Sequence, residues 1–241
     1  MVRFIITCEH GGNQIPTPYR HLFRGHRALL DSHRGYDAGA LLMATDLAGA
    51  FGAPCVTSTT SRLLVDLNRS IGHRQLFSEI TRGTAPETRA QIVEDHYRPY
   101  RAQVEDLVAR EVSRSDTVVH VSSHSFTPEL DGKVRSADVG LLYDPSRDGE
   151  SELCARWRDA LAAAAPELRV RRNYPYAGKG DGLTSHLRRR FTQSDYCGIE
   201  LEINQRIVAS AGRRWTALRG TLIGSLRMAA APWIAERNNA N

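Results

Sequence analysis

The chain has 241 residues, 41% hydrophobic and 24% charged, a balance that excludes wholesale disorder and leaves room for a sizeable buried core. Thirty-two Lys+Arg against 27 Asp+Glu give a formal charge of +5. Lysine occurs only at Lys133 and Lys179, so the excess is arginine, dispersed and accompanied by only 7% aromatics. That pattern sets aside nucleic acid as partner and favours an anionic small molecule held by guanidinium groups.

The first predicted element is a strand over residues 2–8, which breaks directly into Cys8-Glu9-His10-Gly11-Gly12-Asn13. His10 thus stands at the carboxyl end of a strand, where open α/β sheets bind ligands, with glycines leaving room around the ring. Tyr36 to Phe51 predicts a helix, with Asp37 near its positive N-terminal end and Gly52 closing it. A strand at 52–58 leads into a long polar stretch, 59–83. Here Arg62 and Arg69 suit a substrate carboxylate or a scissile carbonyl, Asp66 suits the role of holding a guanidinium, and Asn68 that of a hydrogen-bond donor. A structural salt-bridge network has the same composition. Ala85 to Ser113 predicts a longer helix, with Pro86 near its start and Pro99 breaking or bending it.

The strand at 117–122 is expected to end at Ser122-Ser123, delivering His124, while His120 belongs to the core or supports the site. Strands at 138–143 and 168–172 flank a helix from Glu150 to Ala164, stopped by Pro166. A second long loop, 173–195, precedes a strand at 197–203. Strand period places Glu200, Glu202 and Asn204 on one face. Adjacent carboxylates repel, which raises the pKa of one and suits it to general-base work. Arg213 to Arg237 predicts a terminal helix interrupted at Pro232.

His10 and His124 are the candidate metal pair, with a third ligand from Asp37, Glu9 or Asn13. His21, His26, His33, His73, His96 and His186 read as surface or structural. Cys8, Cys55, Cys154 and Cys197 show no metal-type spacing and suit a reduced, cytoplasmic protein. No stretch approaches the ~20 apolar residues that span a bilayer. Alternating elements predict a single α/β domain over 1–241, its sheet mixed, mostly parallel and flanked by helices on both faces.

In their order along the chain these pieces resemble the N-formylglutamate amidohydrolase family, itself similar in outline to the zinc carboxypeptidase and succinylglutamate desuccinylase hydrolases. The resemblance rests on Cys8 through Pro16, Tyr36 through Ala40, Ser61-Arg62 with Asp66 through Arg69, His124 through Pro128, Asn173 through Gly178, and Ile199 through Gln205. It implies a hydrolase-like, zinc-peptidase-like fold and a zinc-dependent amidohydrolase that cleaves the N-formyl or a similar N-acyl amide of an acidic amino acid. It further implies one divalent ion per chain on His10 and His124, Glu202 as general base, and Arg62 polarising the scissile carbonyl. Asn68 and Arg69 are implied to bind a substrate carboxylate, with the loop carrying Asn173 and Gly178 covering the substrate. The peptidase pattern His-x-x-Glu has Asn13 at its last position here, so Asp37 is expected to supply the anionic ligand. Lys133, Arg135, Arg172 and Arg188 are all candidates for a second substrate carboxylate. Two other readings stand beside this one: hydrolysis of another N-acyl or N-carbamoyl amino acid, and a catalytically silent binder of an acidic metabolite. Oligomeric state is not legible.

Overall fold

The structure, a computed structural model, describes residues 1–114, 116–210 and 212–239. Six strands form one sheet: β1 (Val2–Cys8), β2 (Cys55–Thr57), β3 (Thr117–Phe126), β6 (Val139–Leu142), β7 (Val170–Arg172) and β8 (Tyr196–Asn204), in the order β2-β1-β3-β8-β6-β7. Between β3 and β6 a short hairpin pairs β4 (Glu129–Leu130) with β5 (Lys133–Val134). All neighbours in the main sheet run parallel except β6 and β8. The fold is therefore the expected mixed, mostly parallel α/β sheet.

Helices cover both faces. On one side α1 (Ala40–Phe51), α3 (Asp148–Ala164) and α5 (Arg213–Asn239) pack on Ile6, Val119, Val121, Ile199, Leu201 and Ile203. On the other, α2 (Arg98–Ser113), α4 (Leu183–Arg190) and the segment around Leu63–Leu67 pack on Ile5, Val118 and Tyr196. Apolar residues on both faces of β3 and β8 are what a central parallel strand requires. Each fully buried Leu or Ile contributes roughly 2 kcal/mol.

Several boundaries differ from those expected. β3 does not end at Ser122-Ser123; it runs to Phe126 because β8 pairs with it along its length, as far as Phe126 opposite Asn204. The first long helix starts at Ala40 instead of Tyr36, since Gly39 lies at φ 79°, outside helical space. Pro99 does not break its helix. The chain stays helical past it, but not regularly: a π-helical turn over Val93–Tyr97 joins Pro86–Ile92 to α2, and this wider turn just before Pro99 accommodates the missing amide donor. Pro232 likewise lies inside a continuous α5. The stretch 173–195, expected as a loop, contains α4. No helix among the described residues is long and apolar enough to cross a membrane.

Candidate active site

The site lies where the carboxyl ends of β1, β3 and β8 meet. His10 follows β1, and its backbone carbonyl accepts from the amide of Asp37 at 2.9 Å, which draws the start of the 37–51 segment to that strand end. His124 is brought opposite Glu202 by the pairing of β3 with β8. The two imidazole centroids are 5.1 Å apart. Candidate ligand atoms of His10, Asp37 and His124 all lie within 4.8 Å of one another, and all three residues are buried.

Both rings present Nδ1 to the same carboxylate oxygen. Asp37 Oδ2 lies 2.8 Å from Nδ1 of His124 and 3.4 Å from Nδ1 of His10. Each ring is held from behind by a second buried carboxylate. Nε2 of His10 lies 2.8 Å from Asp66 Oδ1, and Nε2 of His124 lies 3.0 Å from Glu9 Oε2. A carboxylate on the remote nitrogen fixes the ring and directs the other nitrogen toward a metal. Two imidazoles and one carboxylate, so oriented, could hold a divalent ion. Of the alternatives for the third ligand, Glu9 sits behind His124, where Tyr100 and Ser122 also donate to it at 3.0 and 2.5 Å. Asn13 lies outside the cluster and donates to Asp31 at 2.8 Å.

The electrostatics follow from this crowding. Burial opposes charge on His124, yet hydrogen bonds from its ring to the carboxylates of Asp37 and Glu9 hold its pKa well above the ordinary imidazole value. Burial also opposes ionisation of Asp37, but His10, His124 and Arg62 keep it well below the usual carboxylate range. Glu202 is the exception. Its Oε2 is buried without a hydrogen-bond partner, and burial, reinforced by the charges of Asp37 and Glu200, pushes its pKa up to about 8. It is the carboxyl group here poised to exchange a proton near neutral pH.

Arg62 spans the two aspartates, donating to Asp37 at 3.3 Å and Asp66 at 2.8 Å. A guanidinium has five N–H donors, so these contacts leave others for a ligand. Asn68 accepts from the Leu183 amide at 2.6 Å, which fixes the start of α4, and its Nδ2 lies 3.5 Å from His124 Nε2. Arg69 donates to the carbonyls of Asn68 and Asp181 at 3.2 and 2.7 Å, while its buried Nε has no partner. These groups line one cavity of about 660 Å³ together with His10, Asp37, His124, Glu200 and Glu202.

A family model for N-formylglutamate amidohydrolase matches residues 2–209. The chain belongs to the N-formylglutamate amidohydrolase family. In solved structures it is similar to gene product Atu2144 from Agrobacterium tumefaciens, at 28% identity and a TM-score of 0.79, covering 95% of this chain and 90% of that one. It shares its fold with N-formylglutamate amidohydrolase from Ralstonia eutropha JMP134, at 17% identity and a TM-score of 0.68, covering 95% and 93%. No curated protein matches. The span matching the amidohydrolase family contains every group of the cavity and stops short of α5.

Two residues expected to bind substrate stand elsewhere. Asn173 and Gly178 are not among the cavity-lining residues. Asn173, at φ 50°, accepts from the amides of Tyr143 and Gly178 at 3.0 Å each and braces its own loop on the end of β6. The loop residues that do face the cavity are Tyr176, Ala177, Gly180 and Asp181. His33 and His73, read from sequence as surface or structural, also line it. His120 belongs to the core, between Thr7 Oγ1 at 2.8 Å and the Tyr196 hydroxyl at 2.7 Å. The roles of Glu9 and Asp66 behind the histidines escaped the sequence reading. The available signal was a carboxylate adjacent to His10 and a second one within the Arg62–Arg69 segment.

Proposed function

We propose that the protein is a metal-dependent amidohydrolase that removes the formyl, or a similar small acyl, group from the nitrogen of an acidic amino acid such as N-formylglutamate. The observation that carries this reading is the unpaired Glu202 Oε2 beside a buried His10–Asp37–His124 donor set, in one cavity of a chain belonging to this family.

His10, Asp37 and His124 would hold the ion, zinc by the chemistry of the set; when bound it acts as a Lewis acid and lowers the pKa of water. Glu202 takes a proton from the water whose oxygen attacks the acyl carbon. Arg62 donates to the carbonyl oxygen as negative charge develops there. As the C–N bond breaks, Glu202 returns the proton to the leaving nitrogen, giving the free amino acid and formate. Arg69, with the remaining Asn68 amide donor, grips the substrate carboxylate and fixes the amide over Glu202. Burial of His10, Asp37, Asn68, His124 and Glu202, with Arg62 and Arg69 half-buried beside them, supports the reading, since desolvation strengthens these interactions.

The test is a hydrolysis screen of N-formyl, N-acetyl, N-succinyl and N-carbamoyl amino acids with and without added zinc. We expect turnover of an N-formyl or N-acyl acidic amino acid that requires the metal. Glu202→Gln is expected to lose roughly a hundred-fold or more in kcat with metal content unchanged. Near-full activity in Glu202→Gln, or no hydrolysis of any member by the zinc-loaded protein, overturns the assignment.

A further inference from the structure

Beside the cavity, behind the rings of Phe126 and Tyr176 that line it, stands a cation that the chemistry just described does not use. Of the four basic residues that the sequence offers for a second carboxylate, three are placed away from it or already engaged. Lys133 is exposed on β5 and Arg172 is exposed on β7. Arg188 is buried in an ion pair with Glu150 and donates to the carbonyls of Gly178 and Gly198. Arg135 differs. It is only 9% exposed, yet no carboxylate pairs with it among the described residues. Its guanidinium stands over the rings of Tyr176 at 5.0 Å and Phe126 at 5.9 Å, both of which line the cavity. A nearly buried guanidinium stacked on aromatic faces but lacking a counter-ion is electrostatically incomplete.

Tyr176 relays that charge to the cavity. Its hydroxyl accepts from Arg135 Nη1 at 3.1 Å, so its own O–H remains free to donate. Tyr176 is 47% exposed and lines the cavity. His33, on the same cavity wall, feels the charge of both Arg62 and Arg135. The backbone of Arg135 is also held on both sides. The Arg135 amide donates to the Pro128 carbonyl at 2.8 Å, and its carbonyl accepts from Asn204 Nδ2 at 3.1 Å. Asn204 lies two residues beyond Glu202 on the same strand face, so the proposed base and this cation are registered by one strand.

We propose that Arg135 and Tyr176 are the specificity element for the side-chain carboxylate of the substrate, making the enzyme selective for N-acylated dicarboxylic amino acids over their neutral analogues. Tyr176 donates its hydroxyl hydrogen to the carboxylate, and Arg135 polarises that hydroxyl and balances the charge. The proposal rests on the amidohydrolase reading for its substrate but not for its binding chemistry.

The test compares wild type, Tyr176→Phe and Arg135→Met on N-formylglutamate and N-formylglutamine, with calorimetry of glutarate and its monoamide on the metal-free protein. Tyr176→Phe keeps the ring and its stacking; Arg135→Met keeps much of the buried stem. We expect wild type to prefer N-formylglutamate. Each variant should lose about ten-fold or more in kcat/KM on it, mostly through KM, and stay within about two-fold on N-formylglutamine. Glutarate affinity should fall in parallel. Equal losses on both substrates indicate mere packing and overturn the proposal, as does an unchanged preference. Should wild type hydrolyse neither compound, the N-formyl form of the amidohydrolase reading fails. The specificity element then stands only if glutarate still binds more tightly than its monoamide and Arg135→Met abolishes the difference.

Discussion

Glu9 and Asp66 decide what the two imidazoles can do. Each holds a remote ring nitrogen, and together they turn two Nδ1 atoms toward Asp37. Glu9→Gln and Asp66→Asn are each expected to weaken zinc affinity by about 10–100-fold, measured by competition with a chromogenic chelator. His120 makes a separate prediction about stability. Burial lowers its pKa from 6.5 to about 4, with Arg188 and His124 adding to the effect and Glu9 opposing it. The native state therefore favours the neutral ring, and its stability is intact above the unfolded pKa. As pH falls below about 6.5 the unfolded chain takes up a proton that the folded one refuses, costing about 2 kcal/mol by pH 5. The unfolding free energy from denaturant titration should fall more between pH 7.5 and pH 5 for wild type than for His120→Gln, by that amount. At this scale the histidines were legible because apolar runs end at them. Their carboxylate partners were not, since which ring nitrogen meets Asp66 is settled only when residues 56 positions apart are brought together.

At the scale of elements, alternation and β-branching were enough to place the six strands of the main sheet. The extension of β3 through Ser122 and Ser123 was hidden, because serine propensity reports local preference while β8 supplies the pairing. The helix α4 was equally hidden: its sequence, LTSHLRRR, is short and polar, and its stability comes from Asn68 at its start and from Leu183 and Leu187 in the core. The loop carrying Asn173 and Gly178 reaches the cavity through Tyr176, Ala177, Gly180 and Asp181, while Asn173 and Gly178 themselves brace it on the end of β6. At Gly178 a Cβ would lie 2.1 Å from the Tyr143 nitrogen, so the loop approaches β6 more closely than any side chain permits. Gly178→Ala is expected to cost about 1–3 kcal/mol in chemical denaturation. By displacing Tyr176 it should also reduce turnover of the acidic substrate.

Across the whole molecule, α5 is the element that lies beyond the span matched by the family. It is nevertheless part of the core, burying Trp215, Leu218, Leu222 and Leu226 against α3 and the sheet. The Trp157 indole donates to Ser225 Oγ at 3.0 Å across that packing. At roughly 2 kcal/mol per large side chain, losing their burial removes an amount comparable to the 5–15 kcal/mol net stability of proteins of this kind. Deleting residues 213–241 should therefore yield aggregated protein, or a Tm lowered by more than ten degrees, read by calorimetry of whatever remains soluble. The two faces of β3 and β8 have divided their duties: His124, Glu200 and Glu202 stand on one, while Val119, Val121, Ile199, Leu201 and Ile203 stand on the other. An engineer seeking a hardier biocatalyst therefore has a blank side on which to work. Repacking beneath α3 and α5 can raise heat tolerance while the reacting groups across the sheet keep their positions.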